Sequence, residues 1–420
     1  MALQDAEPHK APNSLPAGAQ SDASAFLRST ASAGVPSLAS LTPVPPPPTR
    51  LGEYRLLAPS CGLRVSPLCM GNMSLGDAWA PAMGGGVSKE QAFEVMDAYY
   101  EAGGNFIDTA NAYQEEQSER WLGEWMKARG NRDELVIATK YSIGYRKARE
   151  DAKIYINFTG NNKKSLRLSL GDSLEKLQTD YVDILYVHWW DYSCSIPEVM
   201  RALDDVVKSG KVLYLGISDT PAWIVSSANQ YARCSGLNQF VVYQGQWSCM
   251  QRDLERDILP MCYAEGMGIA PWGVLASGKF RTAAQLAERL EEGAMRYGSQ
   301  ELTENERKMS AALEKVALEI GKGVSISNVA TAYVMQKQAY VFPILGGKKV
   351  EHLKDNIKAL DIKLSISQIE VLDSAIPFDM GFPKGALGGD PALTRDGKTG
   401  NPLMPNCGIV TWVKAGQPIV

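Results

Sequence analysis

Short runs of hydrophobic residues recur along the middle of the chain, and each run is followed by a segment with helical spacing. The runs are continuous rather than alternating, which is typical of parallel strands covered on both faces. The predicted strands end near Gly71, Asp108, Lys140, His188, Asp219, Trp247, Trp272 and Gly347. Eight strands alternating with helices predict one (β/α)8 TIM barrel of the α/β class. A doubly wound open sheet is the alternative, but Met70–Gly76 lacks the GxGxxG pattern expected after its first strand.

The segments that flank the predicted barrel differ from it in composition. Residues 1–50 are rich in Ala, Ser and Pro and contain the run Pro45–Pro48. This arm is predicted to be disordered and to serve as a spacer. A small hairpin, around Tyr54–Leu57 and Leu63–Val65, is expected before the first barrel strand. The predicted organisation is a Pro-rich arm (1–50), a barrel (51–377) and a glycine- and proline-rich C-terminal extension (378–420).

Composition and charge exclude several classes of protein. The hydrophobic fraction of 45% and the charged fraction of 21% are ordinary for a globular protein. A net charge of −4 and a pI near 5.7 imply no basic face for a nucleic-acid partner. No apolar run is long enough to span a bilayer, and the N-terminus lacks a secretory signal pattern. The seven cysteines show no metal-ligand spacing, so we expect reduced thiols, no metal and a cytoplasmic location.

Polar residues stand at or just past the ends of three consecutive predicted strands. Asp108, Lys140 and His188 end these strands, and Tyr113 follows Asp108 by five residues. In an α/β barrel this rim carries the catalytic residues. Each residue alone has an ordinary explanation, such as a helix cap, a surface lysine or a core histidine. The four in this order favour a catalytic site.

These four side chains suit the reduction of a carbonyl group. A tyrosine with its ordinary pKa of about 10 is a poor acid at neutral pH, and a neighbouring lysine ammonium lowers that pKa. An aspartate beside the lysine keeps it charged, and a histidine can hydrogen-bond and orient a substrate carbonyl. No side chain supplies a hydride, so we expect a nicotinamide cofactor across the barrel mouth.

The order of motifs resembles that of the aldo-keto reductases. GGNFIDTANAY, LVIATK, YVDILYVH, GISD, PWGVL and FPILGGKKVEHLKDNI follow one another as in that family, over about Tyr54 to Ala375. Within this family the chain is most similar to the fungal aryl-alcohol dehydrogenase and norsolorinic acid reductase group. The segment Phe378–Pro391 resembles the C-terminal extension of that group. The resemblance implies NADP as the cofactor. It also implies that Tyr113 donates the proton, that Lys140 and Asp108 adjust the pKa of Tyr113, and that His188 positions the substrate carbonyl.

The resemblance implies a set of cofactor contacts as well. Ser218 and Asp219 match the pair that holds the nicotinamide amide. The family usually has Asn in place of Asp219, and a carboxylate cannot donate to the amide oxygen. Lys348 and Lys349 match residues that grip the 2′-phosphate, which favours NADPH over NADH. The other implied contacts are Gln244, Trp272, Gly273, Ser277, Gly278, Lys279, Gly347, His352, Asp355 and Asn356. Some of these residues also have an interpretation without a cofactor. Gln244 would then cap a strand end, Trp272 would be a core residue, and Lys348 and Lys349 would be a solvated pair before an ordinary helix.

Aromatic residues just past the strand ends predict a flat, apolar substrate. They are Trp79, Tyr141, Trp189, Trp190 and Tyr192, of which Trp79 and Trp189, with His188, are the leading substrate contacts. The expected function is the reversible, NADPH-dependent reduction of aryl aldehydes or polyketide-like ketones to alcohols. The alternative is a nucleotide-binding regulatory subunit that resembles the channel-associated β subunits and has little turnover. A third possibility is a barrel that has lost activity and remains as a scaffold.

Overall fold

The structure is a computed structural model of the chain. It describes residues 43–282, 285, 302–321, 323–393, 401, 403–406, 408 and 410–420. The chain divides into two units, Met1–Pro46 and Pro47–Val420. Residues 43–46 of the first unit are exposed and form neither helix nor strand. Residues 47–50 of the predicted arm belong to the second unit, and Thr49 caps the 3-10 turn Arg50–Gly52, so the prediction of disorder is wrong for these residues. Residues 1–42 of the arm lie outside the described residues, and so does most of the polar segment between Gly278 and Gln300.

A two-stranded antiparallel hairpin precedes the barrel. Its strands are β1 (Arg55–Ala58) and β2 (Cys61–Val65), with Arg55 opposite Val65. Leu57 and Val65 are fully buried and belong to one apolar cluster with residues of the barrel strands. Gly268 begins a later strand, and a Cβ at that residue would lie 2.1 Å from the carbonyl oxygen of Leu57. The hairpin therefore covers the end of the barrel at which the strands begin. The predicted hairpin is confirmed.

Eight parallel strands form one sheet in the described part of the chain. They are β3 (Cys69–Gly71), β4 (Phe106–Asp108), β5 (Val136–Tyr141), β6 (Val182–Val187), β7 (Val212–Ser218), β8 (Phe240–Gln246), β9 (Gly268–Trp272) and β10 (Ile344–Leu345). Strands β3 to β9 pair in chain order, and β10 pairs with β3. Ile269 of β9 also forms a parallel bridge with Val341, just before β10. The sheet thus closes on itself, and the predicted (β/α)8 barrel is confirmed.

Helices follow the strands along the chain. They are α1 (Lys89–Glu101), α2 (Gln117–Arg129), α3 (Lys163–Leu177), α4 (Ile196–Lys208), α5 (Ala222–Ser235), α6 (Ile258–Ala264), α7 (Glu304–Ile320), α8 (Ile326–Lys337), α9 (Val350–Ile357), α10 (Ile366–Ser374) and α11 (Lys384–Leu387). Ser88 caps α1 through a capping box, as expected, and Gly130 ends α2 with a φ of 64°. No helix in these ranges is long and apolar enough to cross a membrane.

Three predicted elements differ from the observed ones. The sequence SERWLGEWMKARG predicts a helix capped by Ser118 or a neighbour, but Ser118 lies inside α2, which begins after Glu116 without a side-chain cap. The sequence DLERDILPMCYAEG predicts a helix that is bent or broken around Pro260. The structure has a 3-10 turn, Asp253–Glu255, followed by α6, so Pro260 lies in the first turn of α6, where a missing N–H costs little. The last strand is shorter than expected because the chain pairs first with β9 at Val341 and then with β3 at Ile344.

Side chains alternate between the inside of the barrel and the layer beneath the helices. Val136, Ala138, Ile184 and Tyr186 share one buried cluster, whereas the intervening residues of β5 and β6 pack with the helices. A Cβ at Gly216 would lie 2.4 Å from the Tyr186 ring, so this glycine makes room for it. With the barrel filled and one end covered by the hairpin, the open end is the rim where the strands finish.

Candidate active site

The predicted catalytic residues come from three neighbouring strands. Asp108 is the last residue of β4, Lys140 lies in β5, and His188 directly follows β6. Because β4, β5 and β6 are parallel neighbours in the sheet, their ends meet at one rim. Tyr113 reaches the same place from the segment after β4. The structure thus brings the four predicted residues together.

Lys140 is the centre of the group. Its Nζ donates to Asp108 Oδ1 at 2.5 Å, to the carbonyl oxygen of Thr109 at 2.7 Å and to Tyr113 Oη at 3.2 Å. These contacts use the three N–H donors of an ammonium, as a fully buried lysine requires. Burial acts to lower the pKa of Lys140, but Asp108 and Tyr113 outweigh it, and the pKa lies above its ordinary value. Lys140 is therefore a cation.

The second oxygen of Asp108 is held from the other side of the barrel. Gln244, a buried residue of β8, donates its Nε2 to Asp108 Oδ2 at 2.9 Å. The sequence predicted Gln244 only as a cofactor contact, and this bond to Asp108 was missed. Both carboxylate oxygens of Asp108 are thereby fixed, which sets its orientation toward Lys140.

Tyr113 lies between two other rings. Its ring meets Trp79 edge-on with centroids 6.2 Å apart and meets His188 edge-on with centroids 5.8 Å apart. Burial raises the pKa of Tyr113, and Lys140 acts in the opposite direction without overcoming it. Lys140 thus acts on this pKa in the expected direction, but the net shift is upward because burial outweighs it. The phenol is protonated at neutral pH, as a proton donor must be.

His188 is a neutral imidazole at neutral pH. Burial, and then the charge on Lys140, lowers the pKa of His188 well below its ordinary value of 6.5. Its Nδ1 is buried and has no hydrogen-bond partner within the described ranges. A neutral imidazole can donate from one ring nitrogen, so His188 can hydrogen-bond a carbonyl oxygen beside Tyr113.

Three of the predicted nicotinamide contacts stand at the ends of β7 and β9. Ser218 ends β7, and its buried Oγ has no partner among the residues that the structure describes. Asp219 follows with a φ of 42°, and its Oδ1 accepts a hydrogen bond from Trp272 Nε1 at 3.2 Å. A buried hydroxyl without a partner costs free energy unless a ligand completes the bond. This arrangement fits a polar ligand group such as a carboxamide.

The two lysines predicted to bind the 2′-phosphate have different surroundings. Lys348 Nζ donates to the carbonyl oxygens of Met83 at 2.7 Å and Gly85 at 2.6 Å, in the glycine-rich loop after β3. Lys349 is exposed and precedes α9 without a side-chain cap, which leaves the helix N-terminus open to an anion. A Cβ at Gly347 would lie 3.3 Å from His352 Cβ, so this turn passes close to α9.

The remaining predicted cofactor residues make contacts within the protein. Asp355 Oδ2 accepts from Ser325 Oγ at 2.6 Å, and Asn356 is buried on the same helix. Lys279 forms an ion pair with Glu306 at 2.6 Å. The loop after β9 has left-handed backbone at Gly273, Ser277 and Gly278, with φ of 70°, 57° and 82°. Contact of these residues with a cofactor remains a prediction.

Comparison with known proteins identifies the family. A sequence profile of the aldo/keto reductase family matches residues 67–377, which is most of the chain. The chain belongs to this family. It is 55% identical over 348 residues to the aryl-alcohol dehydrogenase (NADP(+)) of Phanerodontia chrysosporium, covering 81% of this chain and 90% of that protein. The resemblance inferred from the motifs is confirmed.

Two further relatives of this aldo/keto reductase are reductases by name. The chain is 56% identical over 338 residues to norsolorinic acid reductase B of Dothistroma septosporum, covering 80% of this chain and 85% of that protein. It is 52% identical over 347 residues to the norsolorinic acid reductase of Aspergillus flavus, covering 83% and 87%. Both matches extend along nearly the whole of these relatives.

The predicted substrate aromatics of this aldo/keto reductase fall into two groups. Trp79 is partly buried against Tyr113, whereas Trp189 is 40% and Tyr192 67% exposed. Tyr141 and Trp190 are buried, and the hydroxyl of Tyr141 donates to the carbonyl oxygen of Asn161. Tyr141 and Trp190 are therefore packing residues, whereas Trp79 and Trp189 remain the predicted substrate contacts.

The segment after Tyr113 has a backbone conformation that the sequence did not predict. Gln114, Glu115 and Glu116 all have left-handed backbone, with φ of 53°, 51° and 77°. Each such residue that is not glycine costs roughly 1–3 kcal/mol unless its surroundings hold it. In the sequence, EEQSER reads only as the polar start of a helix.

Among the described residues no cluster of His, Cys, Asp and Glu could hold a metal ion.

Proposed function

We propose that this protein reduces aryl aldehydes or polyketide-like ketones to alcohols, reversibly, with NADPH as the hydride source and Tyr113 as the proton donor. The coarser assignment, an NADP-dependent oxidoreductase, follows from membership of the aldo/keto reductase family. The observation that carries the proposal is the bonded series from Asp108 through Lys140 to Tyr113, with His188 beside the phenol.

The residues at the rim fit a nicotinamide cofactor. The unpartnered Oγ of Ser218 and the carboxylate of Asp219 would hold the carboxamide, and Asp219 would accept from its NH₂ group. Lys348, Lys349 and the N-terminus of α9 would hold the 2′-phosphate. When bound, NADPH supplies the hydride that a carbonyl carbon takes up.

The side chains of the site then perform the proton chemistry. Tyr113 donates its phenolic proton to the carbonyl oxygen of the substrate. The ammonium of Lys140, 3.2 Å from Tyr113 Oη, stabilises the phenolate that this step leaves. Asp108 balances the charge of Lys140, and Gln244 fixes Asp108. Neutral His188 hydrogen-bonds the same carbonyl oxygen and orients it.

The substrate class is supported by the aromatic residues at the mouth. Trp79 contacts Tyr113 edge-on, and the partly exposed Trp189 follows His188 directly in the chain. Flat rings beside a proton donor suit an aromatic carbonyl compound. The names of the relatives, an aryl-alcohol dehydrogenase and norsolorinic acid reductases, agree with this class. We also place the protein in the cytoplasm, because the cysteines in the described ranges are free thiols.

The experiment is NADPH consumption by the purified protein with a panel of aromatic and aliphatic aldehydes and ketones. Rapid turnover that prefers aromatic substrates is the expected result. Tyr113→Phe should bind NADPH as the parent does, because the ring remains, and should lose at least about a hundredfold in kcat. Parental turnover by Tyr113→Phe would refute the assignment of the proton donor.

The same panel tests the regulatory alternative. A nucleotide-binding subunit without turnover would bind NADPH tightly, and no panel member would be reduced. A subunit of that kind needs no proton donor, whereas this structure connects Tyr113 to Lys140 and Asp108. Binding without turnover on every carbonyl compound would favour that alternative over the reductase.

A further inference from the structure

The chain makes an unusual turn directly after Tyr113. Gln114, Glu115 and Glu116 are three consecutive residues in the left-handed region, and none of them is glycine. L-residues disfavour this conformation because the Cβ approaches the following carbonyl oxygen, and runs of it are rarer still. Such a turn persists only where the surrounding structure holds it. The contacts of these three residues therefore show what fixes the position of Tyr113.

The first residue of the turn is held by its amide. Gln114 is fully buried; its Nε2 donates to the carbonyl oxygen of Met73 at 2.9 Å, and its Oε1 accepts from the backbone N–H of Trp79 at 2.8 Å. This pair of bonds ties the turn to the loop after β3. The middle residue, Glu115, is exposed.

The last residue of the turn is held by two cations. Glu116 is buried, and its carboxylate accepts from Arg149 through both oxygens, with Arg149 Nε 2.6 Å from Oε1. Lys176 Nζ lies 3.0 Å from Glu116 Oε2. Burial acts to raise the pKa of Glu116, but Arg149 and Lys176 outweigh it and lower that pKa. The carboxylate is therefore ionised and fully paired.

Lys176 also holds the chain on the other side of Tyr113. Its Nζ donates to the carbonyl oxygen of Asn111 at 3.0 Å and pairs with Glu119 at 2.7 Å. Glu119 in turn accepts from the hydroxyl of Thr139, the residue before Lys140. One buried ammonium thus connects the segments before and after Tyr113 to the strand that carries Lys140.

We propose that Arg149, Lys176 and Glu116 are positioning residues for Tyr113: they hold the left-handed turn so that the phenol lies against Lys140 and His188. None of the three contacts the Tyr113 hydroxyl, so they act through the backbone. Lys176 comes from α3 and Arg149 from the loop before it, so two separate segments are needed to shape this turn. The inference rests on the proposed role of Tyr113 as proton donor.

Arg149→Met is the variant that tests the inference. Arg149 is only partly buried, and its loss leaves Glu116 paired with Lys176, so the protein should fold. We expect kcat to fall at least about tenfold, because small displacements of a reacting group cost rate steeply. The Kd of NADPH, measured by quenching of protein fluorescence, should stay within about twofold, since Arg149 lies outside the proposed cofactor site. Arg149→Lys, which keeps the charge, should recover part of kcat.

A matched ion pair elsewhere in the barrel separates positioning from stability. Arg132 pairs with buried Asp183 at 2.8 Å. Arg132 lies in the segment before β5, and Asp183 lies near the start of β6, away from the rim. Arg132→Met should lower the melting temperature and leave kcat unchanged. If Arg149→Met is folded and keeps parental kcat, or if Arg132→Met loses kcat equally, the inference is wrong.

A double variant distinguishes failure of this inference from failure of the proposed function. Because Arg149 acts through Tyr113, adding Arg149→Met to Tyr113→Phe should reduce the residual kcat by less than about twofold. Additive losses would overturn the positioning role. Parental turnover by Tyr113→Phe alone would overturn the proposed role of Tyr113 as proton donor, whereas loss in Tyr113→Phe without loss in Arg149→Met would overturn only the inference drawn here.

Discussion

Gln244 donates its side-chain amide to Asp108 across the barrel, at 2.9 Å and 136 residues away in the chain. Asp108 therefore has a different donor on each oxygen, with Lys140 on Oδ1 and Gln244 on Oδ2. A carboxylate held at both oxygens cannot rotate away from its lysine. Gln244 therefore supports the predicted catalytic group through Asp108.

Replacing Gln244 by leucine should weaken catalysis through Asp108. Gln244→Leu leaves Asp108 Oδ2 buried without its donor, which costs about 1–3 kcal/mol of unfolding free energy. We expect a lower kcat with little change in the KM for NADPH, measured by steady-state kinetics, because the loss acts on Asp108. A rise in KM with unchanged kcat would instead make Gln244 a cofactor contact alone.

A second glutamine provides the control for Gln244→Leu. Gln336 in α8 is held by its side-chain amide, which donates to the carbonyl oxygen of Ile362 and accepts from the backbone N–H of Leu364. Gln336→Leu should lose comparable stability in urea unfolding and retain parental kcat. Equal losses of kcat in the two variants would contradict a specific role for Gln244.

The strand ends and the four catalytic candidates could be predicted because they depend on local patterns. Continuous apolar runs define the strands, and parallel strands in a barrel bring their last residues to one rim. Asp108, Lys140 and His188 needed only this rule to be placed together. The bond of Gln244 to Asp108 could not be predicted, because it depends on which strands face each other across the closed barrel.

The left-handed turn after Tyr113 was beyond sequence reasoning for another reason. Turns with positive φ are usually recognised by glycine or asparagine, and Gln114, Glu115 and Glu116 are neither. The residues that hold Glu116 come from the loop before α3 and from α3 itself, so no local pattern shows them. The net rise of the Tyr113 pKa could not be predicted either, because it depends on how deeply the phenol is buried in the folded chain.

The stability of the protein should depend on pH through His188. Its pKa in the folded chain lies well below the value of 6.5 that it regains on unfolding. Below that pH the unfolded chain binds a proton that the folded chain does not, so the free energy of unfolding falls as pH falls. This group contributes a slope of at most about 1.4 kcal/mol per pH unit, and its contribution to stability is fully present above its unfolded pKa.

Urea unfolding between about pH 7.5 and about pH 5 measures this contribution. His188→Gln should show a shallower loss of stability toward low pH than the parent. An unchanged slope in His188→Gln would mean that the folded protein accepts the proton at this site.

Removal of Lys348 should weaken NADPH binding more than NADH binding. If Lys348 exchanges its bonds to Met83 and Gly85 for the 2′-phosphate, Lys348→Met should raise the Kd of NADPH about tenfold. The Kd of NADH, which lacks that phosphate, should change little. Lys354→Met is the control, because Lys354 is an exposed residue of α9 and its replacement removes the same charge. It should change neither the Kd of NADPH nor the Kd of NADH. Equal weakening of both cofactors would mean that Lys348 acts only by holding the glycine-rich loop.

Gly123 lets α2 and α3 approach closely enough for Lys176 to reach Glu116. A Cβ at Gly123 would lie 2.2 Å from the carbonyl oxygen of Lys176 and 2.7 Å from the Cα of Leu177, so backbone would have to move. We expect Gly123→Ala to cost about 1–3 kcal/mol of unfolding free energy, as overpacking does. Gly171→Ala, at an exposed position of α3 with open space around it, should instead gain roughly 0.5–1 kcal/mol of unfolding free energy from the helix preference of alanine.

Urea unfolding of Gly123→Ala and Gly171→Ala measures these changes in stability. A Gly123→Ala protein as stable as the parent would show that α2 and α3 can separate without loss of stability. Because the shift would carry Lys176 with it, kcat of Gly123→Ala should fall as well, while Gly171→Ala keeps parental kcat.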